Sequence, residues 1–439
     1  MKKIFLFWTF IFFVSCSFDN KTGIWNSGIE SEIKDRQFKD FETLNSSIDI
    51  FNEIINPQKD LNIKPSPLIN NLQWNDQYYQ TSNNLDNFSF TNLNKLVFKS
   101  KRLSKSNISS NLFFDGKNIL IVDENGTIVV YSLESQQIIL KYNFYKKKFK
   151  KLRKKISSIV DKNIIYVGDN LGYFYALNYL TGKLIWAKNY KVPFRSNIKI
   201  FDQKILVSDI NNYLYFINKK DGERVKFIPT EKSVLKNDFI NSLSNNDTSL
   251  FFLNTFGSIY SINNKGRINW FSNLNRAKDI DQFSSFYSNP LVLYKDYIII
   301  SSDPFLYILN VINGSIIFKK ALPSIVKPIA SGDNLFLITK QNLLVCINLK
   351  KNKIAYSIKI NKEISNFLNS KEKPISIKTF AMLNDTLFII LNNSYFINFT
   401  LTGEIIEIDK LPSKIYSEPI FINRSMIYLN KQNKLMLVN

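Results

Sequence analysis

Apolar and polar positions along most of this chain alternate in short runs bounded by turn-forming residues. In GDNLGYFYALNYLTGKLIW (168–186), Tyr173, Tyr175 and Leu177 alternate with Phe174, Ala176 and Asn178. That period of two predicts a strand packed on both faces. Leu171-Gly172 supplies a tight turn before it and Thr181-Gly182 a turn after it, and KLIWAKNY (183–190) predicts the next strand. With residues 163–168 ahead of the first turn, the stretch predicts an antiparallel meander.

A small sheet that is apolar on both faces needs a cover on each side, and further copies of itself provide one. The pattern does recur. With Gly172 as the reference position, NGTIVVYS places Gly126 there, NNYLYFIN Asn212, FGSIYSIN Gly257, DPFLYILN Pro304, QNLLVCIN Asn342, NSYFINFT Ser394 and QNKLMLVN Asn433. The mean spacing is about 44 residues. Gly182, Gly222, Gly266, Gly314 and Gly403 mark the second turn in register, and Trp186, Trp270, Phe318 and Tyr356 mark the following strand.

A period of this length with four strands per copy predicts an all-β, eight-bladed β-propeller of four-stranded antiparallel blades, with seven blades as the fallback count. A sandwich is disfavoured because it does not repeat its turn chemistry in register. The last copy stops at Asn439 after its third strand. LNKLVFKSKRL (93–103) resembles GKLIWAKNY, with Phe98 standing where Trp186 stands. An N-terminal strand completing the C-terminal blade would close the ring and remove an open edge. The propeller is therefore placed at 93–439.

The first fifteen residues carry a different pattern. Lys2 and Lys3 precede an apolar run, 4–14, too short to span a bilayer, and FVSC follows. This resembles the signal and lipobox of bacterial lipoproteins, with Phe13 in place of the usual leucine. The resemblance implies removal of residues 1–15, acylation of Cys16, and, with Ser17 next, sorting to the outer membrane. Residues 16–92 lack the repeat and read as a lipid-anchored tether and lead-in. IKPSPLINN and TSNNLDNFSF predict extended or irregular chain, and residues 28–55 carry scattered apolar positions compatible with a helix.

Composition narrows the chemistry. The chain has 58 Lys and Arg against 36 Asp and Glu, a formal net charge of +22, and no histidine. Without histidine there is no Ser-His-Asp or Cys-His pair and no imidazole metal site, and no phosphate loop or dinucleotide fingerprint appears. Asp169 and Asp303 fall in turns, where aspartate is favoured by geometry alone. Cys346, the one cysteine besides Cys16, takes the position of Ala176 in its repeat and reads as a small core residue. KKKFKKLRKK (146–155) reads either as a solvated connection between blades or as a contact for anionic lipid or an acidic partner. A nucleic-acid partner is not expected for a chain with an envelope address.

The repeat itself resembles those of propellers that bind pyrroloquinoline quinone, which would imply calcium and quinone in the channel. The adjacent cysteine pair of those alcohol dehydrogenases is missing, so no cofactor is expected. A lipobox, a short lead and eight quinoprotein-like repeats together resemble the BamB family, the lipoprotein subunit of the machinery that assembles outer-membrane β-barrels. The resemblance implies a non-catalytic scaffold at the periplasmic face of the outer membrane. Its partners would be the periplasmic repeat domains of the barrel subunit, the membrane through the anchor, and nascent outer-membrane proteins. In that family an apolar-arginine motif in one inter-blade connection docks on the barrel subunit, and a pair of acidic residues in the next adds a second contact. Phe194 and Arg195 of VPFRSN match the first, and Asp238 alone matches the second. The alternatives are an envelope propeller holding a small ligand or glycan in its channel, and a quinone-dependent dehydrogenase.

Overall fold

The computed structural model describes residues 17–18, 25–26, 48–150, 152–232, 238–275 and 286–439. The chain divides into two units, 1–48 and 49–439. In the first, Ser17–Phe18 pairs antiparallel with Trp25–Asn26. Cys16 and the signal lie outside the described residues.

The second unit is an eight-bladed propeller. Seven blades follow one another in sequence at 108–143, 156–189, 199–228, 242–273, 292–320, 329–359 and 377–410, each a four-stranded antiparallel meander, hereafter blades 1 to 7. Blade 8 takes three strands from 420–438 and its fourth from Leu96–Arg102. That strand pairs antiparallel with Lys434–Val438, Phe98 opposite Leu437. Trp186 lies opposite Ala176 in blade 2, so Phe98 occupies the place the repeat assigns it, and the ring closes as expected.

The reference position is legible in the backbone. Gly126, Gly172, Asn212, Gly257, Asn342, Ser394 and Asn433 all have φ between 56° and 87°. Each ends the turn from second to third strand, where a left-handed residue is required. An Asp or Asn three residues earlier fixes several of these turns. Asp169 Oδ1 accepts from the amides of Leu171 (2.8 Å) and Tyr173 (2.9 Å), and Asp123, Asp209, Asn254 and Asn430 do the same in their blades. At Gly172 a Cβ would come within 2.8 Å of the Val192 amide nitrogen, so the site excludes a side chain as well as favouring positive φ.

A feature the sequence pattern did not reveal is a bulge in every blade, always at the fourth position after the reference residue. One residue of the outermost strand is thereby unpaired: Val97, Ile139, Ile185, Val225 and Ile406 are of this kind, and all are exposed. The outermost strand is each blade's open edge, and a bulge there twists it away from pairing with another sheet.

The inner edges are protected differently. Residues 71–91 pass once around the hub and bond to the innermost strand of each blade in turn. Trp74 exchanges two backbone bonds of 2.8 Å with Phe114 of blade 1, and Val160 N–H donates to Asn75 O in blade 2. Lys199 of blade 3 binds Asp76. Asn245 N–H donates to Thr81 O in blade 4 and Leu293 N–H to Ser82 O in blade 5. Asn84 forms a two-way bond with Ala330 of blade 6. Asn87–Phe88 adds a parallel strand to blade 7, and Asn71 and Thr91 bond blade 8. The Asn-rich stretch expected to be extended or irregular is so in backbone, with Asn87–Phe88 the extended part, yet its asparagines are buried: an asparagine amide offers both donors and an acceptor to strand edges that otherwise lack partners. The residues 48–55 within the segment compatible with a helix are extended instead, because Phe51 and Ile55 bond Ala321 and Ser357.

Candidate docking face

Because strands alternate in direction, the connections between blades and the turns from second to third strand share one face of the ring. The glycine-bearing third-to-fourth turns and the first-to-second hairpins lie on the other. Phe194, Arg195, Asp238 and the basic run all belong to connections, so the fold gathers them on one face.

Phe194 is only 6% exposed. Its ring packs edge-on against Phe174, Tyr190 and Tyr215 at 5.4 to 5.8 Å. An apolar residue placed among Phe174, Tyr190 and Tyr215 gains more by burial there than at the surface, so little of this ring is open to a partner. Its contribution is to fix the connection that carries Arg195.

Arg195 is half-buried and braces two blades. Its Nη2 donates to Asn212 Oδ1 (3.2 Å) in blade 3 and to Thr255 Oγ1 (2.8 Å) in blade 4. Burial lowers the guanidinium's pKa, opposed by the carboxylates of Asp209 and Asp238. Asp238, with a side chain 89% exposed, ion-pairs with Lys155 at 2.5 Å. The Lys155 hydrogen bond, and more weakly Arg195, holds its carboxyl below the ordinary range. The structure thus brings Arg195 and Asp238 together and adds Lys155, which the motif comparison had not included.

The basic run divides in two. Lys147–Lys150 is a single helical turn whose lysines point to solvent. Lys154 is buried, with Nζ donating to the carbonyls of Asn125 (3.0 Å), Phe149 (2.6 Å) and Leu152 (2.8 Å) and standing 4.1 Å over the Tyr145 ring. A lysine that supplies three donors to converging carbonyls folds the connection back on itself. The same end therefore serves structure, while 146–150 offers charge. Tyr145 OH in turn donates to Asp169 Oδ2, while Oδ1 of the same carboxylate holds the turn. Cys346 is buried and unpaired by any disulfide, opposite Tyr356, and burial raises its thiol pKa.

A family model described as outer membrane protein assembly factor BamB matches residues 124–357, more than half of the chain. The chain belongs to the BamB family. Among solved structures, BamB from Moraxella catarrhalis superposes on 79% of this chain and 99% of its own with a TM-score of 0.61 at 14% identity. The quinohemoprotein alcohol dehydrogenase from Comamonas testosteroni covers 84% of this chain and 81% of its own, with a TM-score of 0.61 at 10% identity. The computationally designed Ika8 protein covers 78% of this chain at a TM-score of 0.57 and 10% identity. At such identities these likenesses show the propeller fold alone. No curated protein matches the chain by sequence.

Residues 71–91 occupy the hub, and among the described residues no group of three His, Cys, Asp or Glu side chains could hold a metal ion.

Proposed function

We propose that this chain is a non-catalytic scaffold lipoprotein of the outer-membrane β-barrel assembly machinery. It is anchored through Cys16 at the periplasmic face of the outer membrane, docks on the periplasmic domains of the barrel subunit, and aids insertion of outer-membrane proteins. The match of the family model across blades 1 to 6 carries this reading. The fold agrees with it: a ring whose inner edges are bonded by its own chain and whose outer edges are bulged is rigid, and presents loops on a fixed scaffold.

Docking uses the connection face around Arg195, Asp238 and Lys155, with the lysines of 146–150 drawing in an acidic partner. Asp238 is the informative position because it is exposed and makes no contact inside a blade. In affinity purification from detergent-solubilised membranes, the wild-type chain should retain a large barrel protein with soluble repeat domains. Asp238→Arg should weaken that retention about tenfold, worth about 1.4 kcal/mol, at unchanged melting temperature. Undiminished retention by Asp238→Arg would remove this patch as the docking site, and absence of any barrel protein from the wild-type eluate would sink the scaffold reading.

A further inference from the structure

On the connection face the hub is not filled to the surface. A cavity of about 270 Å³ opens there, floored by Trp74, Tyr78 and Leu85 of the hub segment and walled by Phe380 and Phe421 on innermost strands and by Val326 in the connection before another. A second lobe of about 190 Å³ adjoins it, sharing Tyr78, Asn289 and Pro290. The walls are mostly apolar, but Lys327 and Lys378 both line the larger lobe, and Glu418 stands exposed at its rim.

Neither lysine has a carboxylate partner among the described residues. Lys327 Nζ donates to the carbonyls of Asn83 (2.5 Å) and Tyr78 (3.3 Å), which satisfy donors without neutralising charge. The lobe is thus an apolar cup with two lysines on its wall and one carboxylate, Glu418, at its rim, the arrangement by which small-molecule sites orient one charged group. Its volume lies between the ~150 Å³ that admits benzene and the ~300 Å³ at which drug-sized sites begin.

We propose that this hub cavity binds a free small carboxylic acid, its carboxylate between Lys327 and Lys378 and its apolar body against Tyr78, Phe380 and Phe421. The inference stands apart from docking on a barrel subunit, since it uses the larger lobe, whose lining includes none of Arg195, Asp238 and Lys155; only the second lobe reaches Asp238.

Titration behaviour supports the geometry. Burial, and then the positive charge of Lys199, depress Lys327 to about 7, against the pull of Asp76 and Glu418. Lys378 faces the same lobe. An anion placed beside Lys327 would restore its affinity for a proton, so binding at pH 8 should take up a proton.

The test is isothermal titration calorimetry on the full chain with phenylacetate, 3-phenylpropionate and octanoate, in two buffers of different ionisation enthalpy. At least one acid should bind, phenylacetamide should bind at least tenfold more weakly than phenylacetate, and the buffers should reveal proton uptake. Lys327→Gln should abolish the proton uptake and weaken binding at least tenfold. Lys378→Gln, which touches no hub carbonyl, should weaken it severalfold without lowering the melting temperature, which keeps the test valid where Lys327→Gln destabilises the ring. Failure of all three acids to bind at about 10 mM, equal binding of the amide, or unchanged affinity in Lys378→Gln would each overturn the proposal.

Discussion

Trp186 of blade 2 is seated on Gly222 of blade 3. The indole Nε1 donates to the carbonyl of Lys219 at 2.9 Å, and a Cβ on Gly222 would overlap the six-membered ring. Trp270 repeats this on blade 5, bonding Val311 O at 3.1 Å over Gly314. Tyr356 reaches Leu401 O at 2.8 Å beside Gly403. The aromatic after one blade's turn and the glycine in the next blade's turn are thus the two halves of one inter-blade joint.

Trp186→Ala should therefore lower stability by about 3–5 kcal/mol, the usual cost of emptying a large buried aromatic site. Gly222→Val should do comparable damage, since it combines ring overlap with a β-branched residue at a φ of 72°. The two losses should be far from additive when combined, because each removes the same contact. Denaturation midpoints of the two single variants and the double variant measure this, and additive losses would show that tryptophan and glycine act independently.

The hub contains an ion pair, Lys199 with Asp76 at 2.7 Å, whose side chains are 0% and 6% exposed. Lys199 Nζ also donates to Gln80 O at 2.8 Å. Breaking a pair this deep leaves one charge without its partner. Asp76→Asn should cost about 3–5 kcal/mol, while replacing both residues with apolar ones of similar volume should cost less than either single change. Chemical denaturation of Asp76→Asn, Lys199→Met and the double variant Asp76→Leu/Lys199→Met decides the matter. A double variant worse than both singles would contradict this reading of the pair.

Lys327 should give the propeller a distinctive response to alkali. Its folded pKa, about 7, lies below the ordinary 10.5, so between those values the unfolded chain holds a proton that the folded chain has released. Stability then rises with pH across that window, by no more than about 1.4 kcal/mol per pH unit from this one group. The groups acting on it are Lys199, Asp76 and Glu418. Above pH 10 the buried tyrosines oppose the trend, since burial raises Tyr145, Tyr175 and Tyr179 and their ionisation favours unfolding. Melting temperatures from pH 6.5 to 9.5 should climb in the wild type and climb less in Lys327→Met, where Lys154 and Lys199, also lowered by burial, still contribute. A wild-type curve with no rise would place the ammonium in water.

Much of the ring could be read from residue order because its determinants are local. A left-handed position demands Gly, Asn or a similarly tolerant residue, and an aromatic that must reach the next blade recurs at a fixed offset. Phe98 could even be assigned to the final blade from its resemblance to Trp186. The bulges were invisible because their residues, Ile185 or Val225, look like ordinary strand residues. Phe194 was placed in the right connection, but a short apolar-arginine motif does not show which of its two residues faces inward. Lys154 resembles its neighbours in a run of lysines, and only the fold distinguishes the one that turns in. The hub segment was least legible, since its bonds join residues as far apart as Asn71 and Phe421 and follow no period.

Asn83 is the residue that best tests that segment. Its Nδ2 donates to Leu243 O at 2.9 Å and to Leu291 O at 2.8 Å, so one fully buried amide ties the innermost edges of blades 4 and 5. Asn83→Ala removes both donors and leaves the Leu291 carbonyl unpaired, at an expected cost of about 1–3 kcal/mol, while Leu243 O keeps its bond from Asn197 Nδ2 at 2.9 Å. Asn83 also has a φ of 60°, so alanine adds backbone strain, whereas Asn83→Gly removes the amide without it. If the segment holds the hub, hydrogen exchange at the Asn245 and Leu293 amides, which donate to Thr81 and Ser82 beside it, should quicken in Asn83→Gly. Amides of the outermost strands 183–189 and 224–228 should keep their protection, because their partners lie within their own blades. Uniform quickening everywhere would instead make the hub segment one more contributor to global stability, with no special hold on the inner edges.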